Sequence, residues 1–146
     1  MIPVAFALAA VLYLLTSLHV YWGLGGVWPG TDQASCARAV AGFRGVDTMP
    51  TPFACFAVAA CLVLATLWPL ALVGIFATPF PKAGLAASAL MIALVFLGRG
   101  IAGFTPGWRR LTPEMPFARL DRLYFSPLCL AIGAGFAFLA IKGFQP

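Results

Sequence analysis

Four long apolar runs, separated by one short and two longer polar stretches, set the pattern of this chain. They extend from about Pro3 to Trp22, from Thr51-Pro52 to about Ala77, from Pro81-Lys82 to about Gly103, and from Ser126-Pro127 to about Lys142. A bilayer core roughly 30 Å thick takes about 20 mainly apolar residues of helix, and each run meets that requirement. The pattern predicts an all-α membrane protein: a four-transmembrane-helix bundle with two longer loops on one side. Residues 1–146 form one integral membrane domain, with helices at about 3–22, 52–77, 82–103 and 126–142. Thr51-Pro52 and Ser126-Pro127 each read as a capping hydroxyl followed by proline at the first helical position, where its missing N–H is not needed. Pro69, inside the second run, is expected to kink that helix.

The short turn, about Thr78 to Pro81, makes the second and third helices antiparallel neighbours. Loop 1, about Gly23 to Pro50, opens Gly23-Leu24-Gly25-Gly26 and carries Trp28-Pro29-Gly30. Within it, Asp32 to Ala41 reads as a short capped helix stopped by Gly42. Loop 3, about Phe104 to Phe125, includes Pro116 to Tyr124 as a further short interfacial helix. Up-and-down crossing puts loops 1 and 3 on the same side. That side carries Arg38, Arg44, Arg109, Arg110, Arg119 and Arg122, and the other side only Lys82 and Lys142. The positive-inside rule therefore predicts loops 1 and 3 in the cytoplasm and both termini outside.

Composition narrows the class. Hydrophobic residues make up 62% of the chain and charged residues 9%, with mean hydropathy +0.99. A soluble domain carries roughly 25% charged residues, so this chain cannot cover a water-facing surface. The net charge of +5 suits membrane lipids with anionic headgroups. Nucleic acid is not an expected partner, because no basic stripe lies on a polar face. The first run has no Lys or Arg before it and ends in His19-Val20-Tyr21-Trp22 rather than a small-residue cleavage signal, so it reads as a retained helix. The cysteines Cys36, Cys55, Cys61 and Cys129 form no C-x-x-C pair, and a thiol in an apolar segment behaves as a small hydrophobe. Cys36, Cys55 and Cys129 fall towards one end, but without metal-ligand spacing, so no metal site is expected. A haem would have only His19 as a histidine ligand, and no cofactor follows from the sequence.

Polar groups within hydrocarbon are costly and each needs a reason. Tyr13, Thr16 and Ser17 share a face of the first helix, with His19 at its edge. His19 is the single histidine, suited to proton transfer or ligation. Arg99 is the one charge well inside a spanning run and is flanked by Gly98 and Gly100. A guanidinium keeps its proton, so it must reach the interface, pair with a carboxylate (Asp121 or Asp47), or hold an anion. Asp121 and Tyr124 are three apart and share a helical face, and Ser126, Cys129 and Gly133 form a small-residue face on the fourth helix. The candidates for catalysis are thus His19, Asp121 and Tyr124. Those for substrate binding are Arg99, Trp22, Tyr21, Ser126 and Cys129. Tyr21 and Trp22 also fit the aromatic belt that anchors helix ends at the headgroups.

Two motifs carry a resemblance: His19-Val20-Tyr21-Trp22-Gly23-Leu24-Gly25-Gly26, and Phe117-Ala118-Arg119-Leu120-Asp121 followed by Ser126-Pro127-Leu128-Cys129. With Arg99-Gly100-Ile101-Ala102-Gly103-Phe104 between them, the chain resembles the small bacterial membrane proteins of domain-of-unknown-function family 3995 from its first helix to its fourth. One departure is Phe125 before the S-P-L-C run, where that family usually has tyrosine; here Tyr124 stands one position earlier. The resemblance implies a four-helix inner-membrane protein and supplies no activity.

Two functions remain in view. One is a one-sided pocket for a lipid-like or anionic small molecule, catalytic or not, with Arg99 at the head. The other is a non-catalytic transporter component or scaffold subunit, a homo-oligomer through Gly/Ala faces, in which Arg99 and Asp121 form a structural pair. The apolar middle of the bundle counts against a through-pore, which needs broken helices and polar groups at mid-membrane.

Overall fold

The computed structural model describes residues 1–145 and contains no strand among them. The helices in chain order are α1 (Ile2–Gly23), α2 (Gln33–Val40), α3 (Pro52–Leu72), α4 (Lys82–Ala102), α5 (Pro106–Leu111), α6 (Phe117–Leu120) and α7 (Ser126–Phe144). A π-helical turn, Asp121–Phe125, joins α6 to α7, so the last helical path runs unbroken from Phe117 to Phe144. That path and α1, α3 and α4 are the four stretches long and apolar enough to cross a bilayer. The chain is a four-span membrane helix bundle.

Helix ends follow local chemistry. Thr51 caps α3, its hydroxyl accepting from the Ala54 N–H at 3.3 Å, with Pro52 in the first turn. Asp32 caps α2 in a reciprocal box with Ser35: the Asp32 carboxylate accepts from the Ser35 N–H at 2.7 Å, and the Ser35 hydroxyl accepts from the Asp32 N–H at 3.1 Å. These bonds hold the Asp32 carboxyl below its ordinary range. α3 stops at Leu72, short of the predicted Ala77. Gly74 adopts φ +76°, and the Gly74 and Ile75 N–H groups return to the Ala71 and Leu70 carbonyls at 3.0 Å each. This is a Schellman closure, for which glycine is the residue without a steric penalty. Pro69 therefore sits in the last turn of α3. Thr105-Pro106 starts α5, a helix not among those expected, by the same cap-then-proline chemistry as Thr51-Pro52.

Spans pack as two pairs, α1 with α3 and α4 with α7, and contacts between the pairs are sparse. The short turn links α3 to α4, yet neither is the other's main partner. Small residues explain the tight α4–α7 seam. A methyl group on Gly133 would lie 2.9 Å from the Leu97 backbone nitrogen, and one on Gly100 3.0 Å from that of Leu130. Only glycine lets the backbones approach so closely. Leu12, Ala89, Ala93, Phe136 and Leu139 fill the centre of the bundle. Three hydroxyls within the spans are satisfied in their own helices: Thr16, Ser17 and Thr66 donate to carbonyls four residues back at 2.7–2.9 Å. These three need no partner from lipid.

At the loop end, loops 1 and 3 are stitched into one cap. The Arg44 N–H donates to the Leu111 carbonyl at 3.1 Å, the Glu114 N–H to Gly42 at 3.2 Å, and the Gly45 N–H to the Glu114 carboxylate at 2.9 Å. The Phe117 ring lies directly on Gly42, where a side chain would collide with it.

Candidate functional site

Pro127 shapes the start of α7. It has no N–H to return to the preceding turn, so the helical ladder cannot continue unchanged through it. The Ser126 N–H reaches back five residues to the Asp121 carbonyl, forming the wide π turn. Residues five apart would stand roughly 140° apart around a regular α-helix. Here the wider turn brings them together, and the Ser126 hydroxyl donates to Asp121 Oδ1 at 3.1 Å. Ser126 was read from sequence as a cap. α7 does begin there, but within a continuing helix and with its hydroxyl given to Asp121.

Asp121 is fully buried and accepts from three donors. Arg99 Nη2 of α4 reaches Oδ1 at 2.7 Å, Trp108 Nε1 of α5 reaches Oδ2 at 3.0 Å, and Ser126 supplies the third. Arg99 Nη1 also donates to Ser126 Oγ at 3.3 Å, and the guanidinium lies 4.5 Å from the centre of the Trp108 ring. Gly103 makes room for this cluster, since a methyl group there would fall 1.7 Å from Ser126 Oγ. One carboxylate thus ties α4, α5 and the π turn together. Of the options open to Arg99 in the sequence, the pair with Asp121 is the one formed; Asp47 is exposed.

A cavity of about 360 Å³ lies between the two helix pairs towards the loop end. His19, Trp22, Arg99 and Cys129 line it among apolar side chains that include Leu62, Phe96 and Phe125. A smaller cavity of about 130 Å³ shares His19, Trp22, Val40 and Val58 with it and extends to Met49 and Cys55. His19 Nδ1 lies 2.8 Å from the Leu15 carbonyl. A carbonyl only accepts, so Nδ1 carries the proton and the Nε2 of a neutral ring has a lone pair to offer. The Trp22 ring stands edge-on to the imidazole at 5.1 Å, and its Nε1 donates to the Trp28 carbonyl at 2.8 Å.

The structure therefore gathers four of the eight sequence candidates around the larger cavity: His19, Trp22, Arg99 and Cys129. Asp121 and Ser126 touch it only through Arg99. Tyr21 instead folds over Gly26, its hydroxyl accepting from the Trp28 N–H at 3.3 Å. Tyr124 is 63% exposed on the outer side of the π turn. Cys36 is buried in the cap with its thiol pushed up by burial, donating to the Trp28 carbonyl at 3.5 Å. Among the described residues no group of three or more His, Cys, Asp or Glu side chains is placed to hold a metal ion. Sequence reasoning missed Trp108, which both donates to Asp121 and covers Arg99. Its signal was its position in a short, Thr-Pro-capped helix shortly after the run that carries Arg99.

No curated protein and no solved structure matches the chain. The family model described as Protein of unknown function (DUF3995) matches residues 4–136, from the first turn of α1 into α7, and the chain belongs to that family.

Proposed function

We propose that this protein holds a lipid-like small molecule with an uncharged hydrogen-bonding head, in the cavity between the α1–α3 and α4–α7 pairs. The observation that carries the reading is the cavity itself: mostly apolar walls with His19 and Arg99 among them, and a volume of about 360 Å³, within the range of small-molecule sites. The state of Arg99 narrows the ligand. Asp121 already neutralises its charge at 2.7 Å, so a strongly anionic group would compete with a carboxylate already in place. A hydroxyl or carbonyl head needs no net charge. A hydroxyl can donate to His19 Nε2, and either group can accept from a guanidinium N–H.

Native mass spectrometry and lipid extraction of gently solubilised protein test this. The wild type is expected to carry a specific molecule, and Cys129→Trp, which fills the cavity, to lose it. His19→Ala is expected to weaken retention by about fivefold, the value of one hydrogen bond of about 1 kcal/mol. Identical lipid profiles in all three equally folded proteins would refute the reading.

In this reading the protein resides in a bacterial inner membrane with its cap in the cytoplasm. Arg38, Arg44, Arg110, Arg119 and Arg122 are exposed on the cap side, against Lys82 and Lys142 on the other. Alkaline phosphatase fused to the C-terminus is expected to be active and a fluorescent protein there dark. The reverse result would invert the topology.

A further inference from the structure

Between α3 and α4, on the outer face of the bundle, runs a second apolar hollow of about 370 Å³. Ala57, Cys61, Ala65 and Val95 line it, and three further lining residues, Val58, Leu62 and Phe96, also line the interior cavity. A single layer of three side chains therefore separates the hydrocarbon outside from the site within. The hollow exists because α3 and α4 pack against α1 and α7 rather than against each other. Its walls are small or open to the bilayer, with Val95 69% and Val58 44% exposed. Phe96 is braced from behind by Phe136, their rings parallel within 6° at 6.4 Å, so Val58 is the most exposed member of the separating layer.

We propose that the ligand is a single-chain amphipathic molecule that reaches the cavity sideways from the bilayer, and that its tail stays in the α3–α4 hollow while its head rests near His19 and Arg99. This rests on the binding reading above and adds the chain length and the route. Two observations select this occupant. The hollow lies in two spanning helices, so what meets it is already dissolved in hydrocarbon. Only the Val58, Leu62 and Phe96 side chains part it from the cavity lined by His19 and Arg99, so one long molecule that displaces the exposed Val58 side chain has its head in the cavity and its tail in the hollow. A helix from a second copy would cover the hollow and leave the cavity unfilled.

The test uses the full chain in phosphatidylcholine vesicles with two photoreactive alcohols, octanol and hexadecanol, each carrying a diazirine at the end of its chain. Octanol is expected to label cavity peptides containing Leu18 or Cys129, and hexadecanol to label peptides containing Cys61 or Val95. Cys61→Trp, which fills the hollow at an exposed position, is expected to lower hexadecanol labelling by about tenfold, or about 1.4 kcal/mol, and to leave octanol labelling unchanged. Val95→Trp closes the hollow from the opposite wall and is expected to act alike. Hexadecanol labelling confined to the cavity, and indifferent to both substitutions, overturns the tail position while the binding reading stands. Absence of cavity labelling by either alcohol in the wild type overturns both. A dimer cross-linked through Cys61 that excludes hexadecanol assigns the hollow to a second copy and overturns the proposal.

Discussion

Asp121→Ala is expected to cost about 3–5 kcal/mol of folding stability, the usual consequence of removing one partner from a buried ion pair. The substitution strands three donors at once: the Arg99 guanidinium, the Trp108 indole N–H and the Ser126 hydroxyl. Arg99 is 30% exposed and can draw part of its charge towards the cap, which favours the lower end of that range. The double substitution Arg99→Met with Asp121→Leu replaces both charges with apolar side chains of similar branching and reach. It is expected to regain more than half of the loss, because a buried pair replaced whole by apolar groups is often near neutral. Thermal unfolding in detergent, followed by tryptophan fluorescence and helical circular dichroism, gives both values. Equal losses in the single and double variants would show that packing around the π turn, rather than the ion pair, holds α4 to it.

Gly103→Ala is expected to cost about 1–3 kcal/mol, the range for forcing extra volume into a packed site. The added carbon would sit 1.7 Å from Ser126 Oγ, 2.8 Å from Ser126 Cβ and 3.1 Å from Asp121 Oδ2. Rotating the hydroxyl away does not suffice, since Ser126 Cβ is itself too close. Moving the volume across the seam tests the cause: Gly103→Ala combined with Ser126→Gly is expected to be less destabilised than the sum of the two single variants. The compensation should be about 0.5–3 kcal/mol, as for neighbours that share one contact. Strict additivity in the same unfolding assay would mean that the two residues do not meet.

The spans were legible because hydrocarbon imposes a length and a composition that few other environments impose, and the apolar runs carry both. Asp32 and Thr51 were legible as caps because their chemistry is local. Arg99 announced itself as a charge in need of a partner, and Asp121 was one of two carboxylates named for it. The end of α3 was missed although Gly74 marked it, because apolar residues continue to Ala77 on the far side of the turn. The π turn was not legible: Ser126-Pro127 reads equally well as a helix start, and only the path from Phe117 shows that the helix is already under way. Nor does hydropathy tell one apolar face from another, so the pairing of α1 with α3 and of α4 with α7, and the cavity that this pairing leaves, are set by packing that the apolar pattern does not encode. Tyr21 and Tyr124 were grouped with the site from nearness in sequence, whereas neither lines the cavity.

Each helix pair is a hairpin of consecutive spans, and the two hairpins are fastened to each other at both extremities: by the turn from Val73 to Pro81 at one, and by the hydrogen bonds between Gly42–Gly45 and Leu111–Glu114 at the other. Midway they share one buried core, which includes Leu12 of α1 and Phe136 and Leu139 of α7. With both ends sewn, the hairpins keep their register, so a substitution that loosens this core is expected to soften the bundle without rearranging the order of its spans.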